Sequence, residues 1–182
     1  MTFITPQKFE AAFAKAKARY PKIQDLNIEL RLRKSIFFTM RASVVPSSLF
    51  TKKRRYIVCV NLLRKDIVSV LSEEDLIGWF GHELAHIIGY EALSNSELLA
   101  FAFKYIFNLK FRFSVEKRVN TFTCNNGFSR ELFGVWKKFL SLDNVNKRYK
   151  DYIRKNYPPD WKDIQESAAA DGVSREDFEL HV

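Results

Sequence analysis

Residues 72–89 read SEEDLIGWFGHELAHIIG. Ser72, with Asp75 three residues later, has the arrangement of a helix capping box in its acidic variant, and Glu73, Glu74 and Asp75 place negative charge where a helix dipole favours it. Beyond this start, Leu76, Ile77, Phe80, Leu84, Ile87 and Ile88 cover almost every direction around a helical axis, so the helix is expected to be buried on all sides. Gly78, Gly81, Ala85 and Gly89 form a stripe of small side chains along which another backbone can approach closely. A helix of this kind belongs at the centre of a fold.

It also carries chemistry. Two of the chain's three histidines, His82 and His86, stand four residues apart. At roughly 100° per residue they lie about 40° apart and can reach one ion. Glu83 falls beside them, about 100° from His82, where a carboxylate can act on water at a metal instead of joining the inner shell. This is the physical content of the H-E-x-x-H pattern in metal-assisted hydrolysis. A carboxylate buried in such a helix is costly unless a cation or a water-filled cleft accompanies it.

A catalytic zinc takes three protein ligands and keeps one position open. The longer H-E-x-x-H-x-x-G-x-x-H pattern is matched through Gly89 but ends in Ala92, and the remaining histidine, His181, is penultimate in a polar tail. A carboxylate is the better third ligand. In SVEKRVNTFTCNNG (residues 114–127) Ser114 is placed to cap a helix on which Val115, Val119 and Phe122 face the core, while Glu116 and Asn120 share another face. Between this helix and the histidine helix lies room for one more, opened by the capping box Ser94–Glu97, so the chain can return antiparallel and deliver Glu116. Asn120 is suited to hold the outer ring N–H of a ligating histidine or to steady Glu116. Glu91 and Glu97 compete as carboxylates but sit too near in sequence to fold back easily.

From this centre the rest of the chain reads as α+β. The N-terminal side offers a helix from Pro6 to Tyr20 with Thr5 as N-cap, then period-two alternation at Leu26–Lys34, then IFFTMRA (36–42) and RYIVCVNLL (55–63), a small sheet of three to four strands. The C-terminal side is helical: 72–89, 94–109, 114–126, 129–142 and about 144–156, ended by YPPDW. The whole chain, 182 residues, is taken as a single domain: a sheet-containing part (1–71), a helical part with the metal site (72–166) and a tail (167–182). LLAFAFKYIFNLKFRF (98–113) is too short and too charged to span a membrane and is expected to be a buried core helix.

Composition bounds the function classes. With 47% hydrophobic residues, including 17 Phe, the chain can fill a core, which excludes a largely disordered chain. The start of the sequence lacks a signal-peptide pattern, and the protein is read as soluble and cytoplasmic. Cys59 and Cys124 are far apart without C-x-x-C spacing and are read as buried free thiols. Net charge is +9, and its excess is N-terminal: residues 1–71 hold 15 Lys and Arg against 4 Asp and Glu. The densest run, Lys52–Arg55, carries no interleaved aromatic residue or nucleic-acid motif and reads as a solvated basic loop or strand edge, so nucleic acid is not the expected partner.

GHELAH on a capped helix, YIVCVN before it and EKRVNTF after an intervening helix together resemble the gluzincin metallopeptidases, in particular the short soluble minigluzincins and the catalytic core of HtpX-type peptidases. The resemblance covers about Tyr56 to Gly127. It implies His82, His86 and Glu116 as ligands of one zinc ion, and Glu83 as general base in peptide hydrolysis. HtpX-type members usually carry Asp where this chain has Asn120, whereas the ImmA/IrrE-type metallopeptidases share a similar E-x-x-x-N-x-F. If the resemblance holds, the strand Tyr56–Leu63 presents an open edge for an extended peptide, and the basic run before it favours acidic substrates. Tyr149, Tyr152 and Tyr157 are conceivable oxyanion donors, and His181 a conceivable latency plug, each less expected than an ordinary surface or core role. The alternative function is a basic, zinc-containing binding or sensing module that cleaves nothing and contacts nucleic acid or an anionic surface.

Overall fold

The computed structural model describes residues 6–35, 38–142, 147–148 and 150–151. Helix α1 (Pro6–Ala18) leads through a turn at Pro21–Ile23 into strand β1 (Asn27–Arg33). Strand β2 (Met40–Val44), a turn at Pro46–Phe50 and strand β3 (Arg55–Asn61) complete a three-stranded sheet in the order β1-β3-β2. After the short helix α2 (Lys65–Val68) come α3 (Glu73–Glu91), α4 (Asn95–Phe107), α5 (Leu109–Thr123) and α6 (Ser129–Ser141). The architecture is α+β, a small N-terminal sheet on a helical part. No helix of the described residues is long and apolar enough to cross a membrane.

Alternation decides which sheet face is inside. Tyr56, Val58 and Val60 of β3 are fully buried, and Ile28, Leu30 and Leu32 of β1 pack beside them against Phe9, Ala12 and Ala16 of α1 and Leu76, Phe80 and Leu84 of α3. Helix α3 is the hub, touching α1, α6, α5 and β2. Its capping box forms as the sequence implies: Asp75 N–H donates to Ser72 Oγ at 3.2 Å, and Ser72 N–H to the Asp75 carboxylate at 2.6 Å. The stripe of small residues serves its purpose over the first half only. A Cβ on Gly78 would stand 2.4 Å from the Glu131 backbone of α6, and one on Gly81 would stand 2.7 Å from the Phe128 ring, whereas Gly89 faces open space. Gly127, at φ 80°, turns the chain from α5 into α6.

Four expectations are corrected. The second strand is Met40–Val44, leaving Phe38 and Thr39 outside it and running two residues past the expected end, while Ile36 and Phe37 lie outside the described residues; the register against β3 sets it, with Met40 opposite Val60 and Val44 opposite Tyr56. The strand 55–63 ends at Asn61 and has no open edge, because β1 pairs parallel on one side of β3 and β2 antiparallel on the other; peptide addition along Tyr56–Leu63 is therefore ruled out. Ser114 caps nothing, since α5 begins five residues earlier with Asn108 Oδ1 accepting from Phe111 N–H at 3.0 Å. Residues 98–113 are not one core helix. They break at Asn108, and α4 buries Leu98 while exposing Leu99, Phe103, Ile106 and Phe107.

The basic run 52–55 divides. Lys52 and Lys53 are exposed, but Arg54 ties down the end of α3, donating to Tyr90 O at 2.8 Å and to Leu93 O at 2.7 Å. Cys59 and Cys124 are buried and form no disulfide among the described residues. Thr5, Tyr149, Tyr152, Tyr157 and His181 lie outside the described residues, as do nine of the thirteen residues of the helix expected at 144–156; the other four, Lys147, Arg148, Lys150 and Asp151, are helical.

Candidate metal centre

Helices α3 and α5 place four polar side chains in the protein interior, where unpaired polar groups are expensive. His82, His86, Glu116 and Asn120 are 8%, 6%, 1% and 2% exposed. His86 follows His82 by one turn, and their Nε2 atoms stand 3.2 Å apart. Glu116 reaches in from α5 with Oε2 at 3.2 Å from His82 Nε2 and Oε1 at 3.5 Å from His86 Nε2. Three lone-pair-bearing atoms thus converge on one point, and no other described group of three His, Cys, Asp or Glu is so arranged.

The supporting contacts select the ligand atoms. His82 Nδ1–H donates to Asn120 Oδ1 at 2.9 Å, so the neutral form of the ring is the tautomer whose Nε2 could offer its lone pair to a metal beside Glu116. Asn120 thus holds a histidine, one of the two duties expected of it. The Tyr105 hydroxyl of α4 donates to Glu116 Oε1, and Arg112 holds Tyr105 in turn, with its Nε–H on Tyr105 O at 2.9 Å and its guanidinium 5.2 Å above the ring. Burial alone would raise the Glu116 carboxyl pKa. The neighbouring His86 and His82 rings outweigh that and hold it well below the usual carboxylate range, so Glu116 is an anion.

Glu83 sits outside this triangle, 5% exposed. The Ala42 N–H of β2 is near enough to its carboxylate to draw its pKa down. Burial pushes its pKa up to about 7, against the pull of His82 and with the push of the Glu116 charge; the Ala42 N–H and Arg41 pull it back. The Ala42 contact follows from sheet geometry. Val45 N–H donates to Arg55 O and Asn61 N–H to Thr39 O, so odd-numbered residues of this stretch turn their amides toward β3. Met40, Ala42 and Val44 therefore turn theirs to the free side of β2, the side on which Glu83 arrives.

The residues that sequence reasoning brought to the site are the ones the fold brings together: His82, His86 and Glu116 at the point of convergence, Glu83 beside it and Asn120 behind it. Glu91 is engaged by the Tyr56 hydroxyl and Glu97 by its own capping box, so neither reaches the site. Tyr105 and Ala42 were missed. A signal for Tyr105 existed in the helical spacing of Leu98, Phe101 and Tyr105, which puts the tyrosine on the inward side of α4, but its partner Glu116 is set by the α4–α5 packing.

Comparison of the chain with protein-family models, with curated proteins and with solved structures finds no match. The chemistry of the site rests on its own geometry.

The donor set fits zinc. Ligand atoms at roughly 2.0–2.1 Å from a tetrahedral zinc stand about 3.3 Å from one another. The donor groups here approach one another at 3.2, 3.2 and 3.5 Å, Glu116 meeting the two rings through different carboxylate oxygens, and one donor atom from each of the three lies within 4.8 Å of the other two. Two imidazole nitrogens and a carboxylate are also a donor set that zinc accepts with one position left open. Among the described residues, His86 Nδ1 and Asn120 Nδ2 are buried without hydrogen-bond partners.

Proposed function

We propose that the protein is a zinc-dependent metallopeptidase of the gluzincin type, an endopeptidase with His82, His86 and Glu116 as ligands of one zinc ion and Glu83 as general base. The observation that carries the reading is the buried group of two imidazoles and a carboxylate whose donor atoms lie within 4.8 Å of one another, flanked by a second carboxylate outside it. A zinc ion held there supplies Lewis acidity that makes water nucleophilic near neutral pH and polarises a carbonyl. Glu83 takes the proton from the attacking water at its carboxylate and delivers it to the leaving amine. A pKa near 7 suits both halves of that duty at neutral pH. Asn120 keeps His82 in register, and Tyr105 keeps Glu116 turned toward the histidines.

The substrate strand belongs on β2. Ala42, whose N–H is near Glu83, lies on the edge not covered by β3, and an extended peptide pairing with Met40–Val44 would pass directly over the general base. Two variants test the reading. Untagged protein is expected to hold near-stoichiometric zinc by elemental analysis and to cleave an unstructured protein such as casein. Glu83→Gln retains the metal and loses cleavage by a factor on the order of 10² to 10⁴, while His82→Ala loses the metal itself. Native protein purified without zinc, or a Glu83→Gln variant that cleaves as native, sinks the proposal.

A further inference from the structure

The sheet has a second face, turned away from α1 and α3. Register builds it from residues scattered through the sequence. Arg31 of β1 and Arg41 of β2 lie on either side of Cys59 in β3, Arg33 lies beside Asn61, and Arg55 shares the face two residues before Ile57. Arg33, Arg41 and Arg55 are exposed and Arg31 half-buried. Among the described residues, Glu29 is the acidic side chain of that face, and it is already engaged by Arg31 at 2.6 and 2.5 Å. Arg41 lies over the Phe38 ring at 4.7 Å, a cation–π contact that steadies its guanidinium on this face. Exposed Lys34 extends the positive stripe at one end of the sheet, and Lys52 and Lys53 extend it at the other. Part of the excess charge of residues 1–71 is thereby gathered on this face.

We propose that this arginine face binds single-stranded nucleic acid, with backbone phosphates held by Arg33, Arg41 and Arg55 and bases laid across Ile57 and the guanidinium planes. Dimensions favour that partner. Alternate residues of a strand repeat about every 6.6 Å, and three strands span only about 10 Å. A single phosphodiester strand can track such a strip, whereas a duplex hides its base faces. Guanidinium planes and an apolar side chain give unstacked bases a place to lie, and binding of this type is tolerant of sequence. A polyacidic peptide such as polyglutamate offers the charge without flat rings to lie on the strip.

The test is fluorescence anisotropy on the full chain with labelled 12-nucleotide oligo-dT and oligo-U. Three to four neutralised phosphates, at a slope of about −0.7 each, predict a roughly 20- to 50-fold loss of affinity between 50 and 200 mM salt. The double variant Arg33→Glu/Arg41→Glu is expected to lose at least tenfold, and the milder Arg33→Gln/Arg55→Gln a smaller factor with an unchanged melting curve. Lys104→Glu/Lys110→Glu, an equal charge reversal on the α4–α5 hairpin, is expected to change affinity less than twofold. Chelator-treated protein and Glu83→Gln bind as native, so the outcome is independent of the metal site. No binding at 50 mM salt, equal loss from both charge reversals, equal affinity for a duplex of the same length, or equal competition by polyglutamate overturns the proposal.

Discussion

Helix α3 buries two carboxylates two turns apart, and the protein treats them in opposite ways. Asp75, near the helix start, is 4% exposed and fully served: it accepts from Ser72 N–H at 2.6 Å, from Ser72 Oγ–H at 2.7 Å and from the Lys138 ammonium of α6. Glu83 is 5% exposed, has the Ala42 amide near it and is pushed toward protonation at about pH 7. The first half of the helix is sealed against α6, with Gly78 on its backbone. The second half faces α5, where four polar side chains converge and two buried polar atoms have no partner among the described residues. A buried charge that the fold satisfies is structure, and one that it leaves poorly satisfied is held for a ligand or a reaction.

The contrast is broken or sharpened most strongly by pH. In chelator-treated protein the Glu83 pKa, raised from 4.5 to about 7, contributes stability that is full below about pH 4.5 and lost as pH rises through 7. Glu116, with its pKa lowered, runs the other way: its contribution is present above the unfolded carboxylate value and lost only in more acid solution. The interval between pH 4.5 and 7 therefore reports on Glu83. Denaturant titrations of chelated Glu83→Gln should show a gain on the order of 3 kcal/mol over native at pH 8 and little difference at pH 4.5. Asp75→Ala should instead lose about 2–3 kcal/mol at pH 7, through the broken capping box and charged hydrogen bonds. A Glu83→Gln variant that is also destabilised at pH 8 would show the two carboxylates to be alike.

A smaller effect is expected one layer out. Asn120→Ala removes the acceptor that orients His82, and competition with a chromophoric chelator should show zinc affinity reduced by about 10- to 100-fold, with the fold retained. Unchanged affinity would mean that the α3–α5 packing alone holds the imidazole.

What the sequence revealed and what it hid divide along the same helix. The capping box, the all-round burial and the shared histidine face were legible in residues 72–89 because each depends on neighbours within one turn or two. Glu116 was reachable because one intervening capped helix, Ser94–Glu97 onward, fixes the direction of return. Three features needed a partner that no local pattern names. The position of β2 is set by its register on β3, the central place of β3 by parallel pairing with a strand two elements earlier, and the contact of Tyr105 with Glu116 by the packing of one helix on the next. The start of α5 was misplaced for a different reason. Asn108 and Ser114 are both competent caps, and the sequence holds no means of ranking them; in the fold, Ser114 lies inside the helix and its carbonyl receives Arg118 Nε–H at 3.3 Å. The arginine face was invisible as a pattern because Arg31 and Arg41 come together only across Cys59 of β3, and Arg55 joins their face only through the register of β3 between them.

The smallest predicted effect probes where sealing ends. Gly78 and Gly89 are three turns apart on α3 and share its stripe of small residues. At Gly78 an added Cβ would meet the Glu131 backbone at 2.4 Å, so glycine is required by the approach of α6. At Gly89 nothing lies within 4 Å, and the residue has ordinary helical geometry at the exposed end of the histidine half. Glycine there contributes no contact and only the entropy of a flexible link, so Gly89→Ala should stabilise the protein by about 1 kcal/mol, the difference in helix propensity. A thermal or urea melt would register it as a small rise in midpoint with metal content unchanged. A loss of stability would mean that something packs beside His86 after all, and that the second half of α3 is closed as the first is.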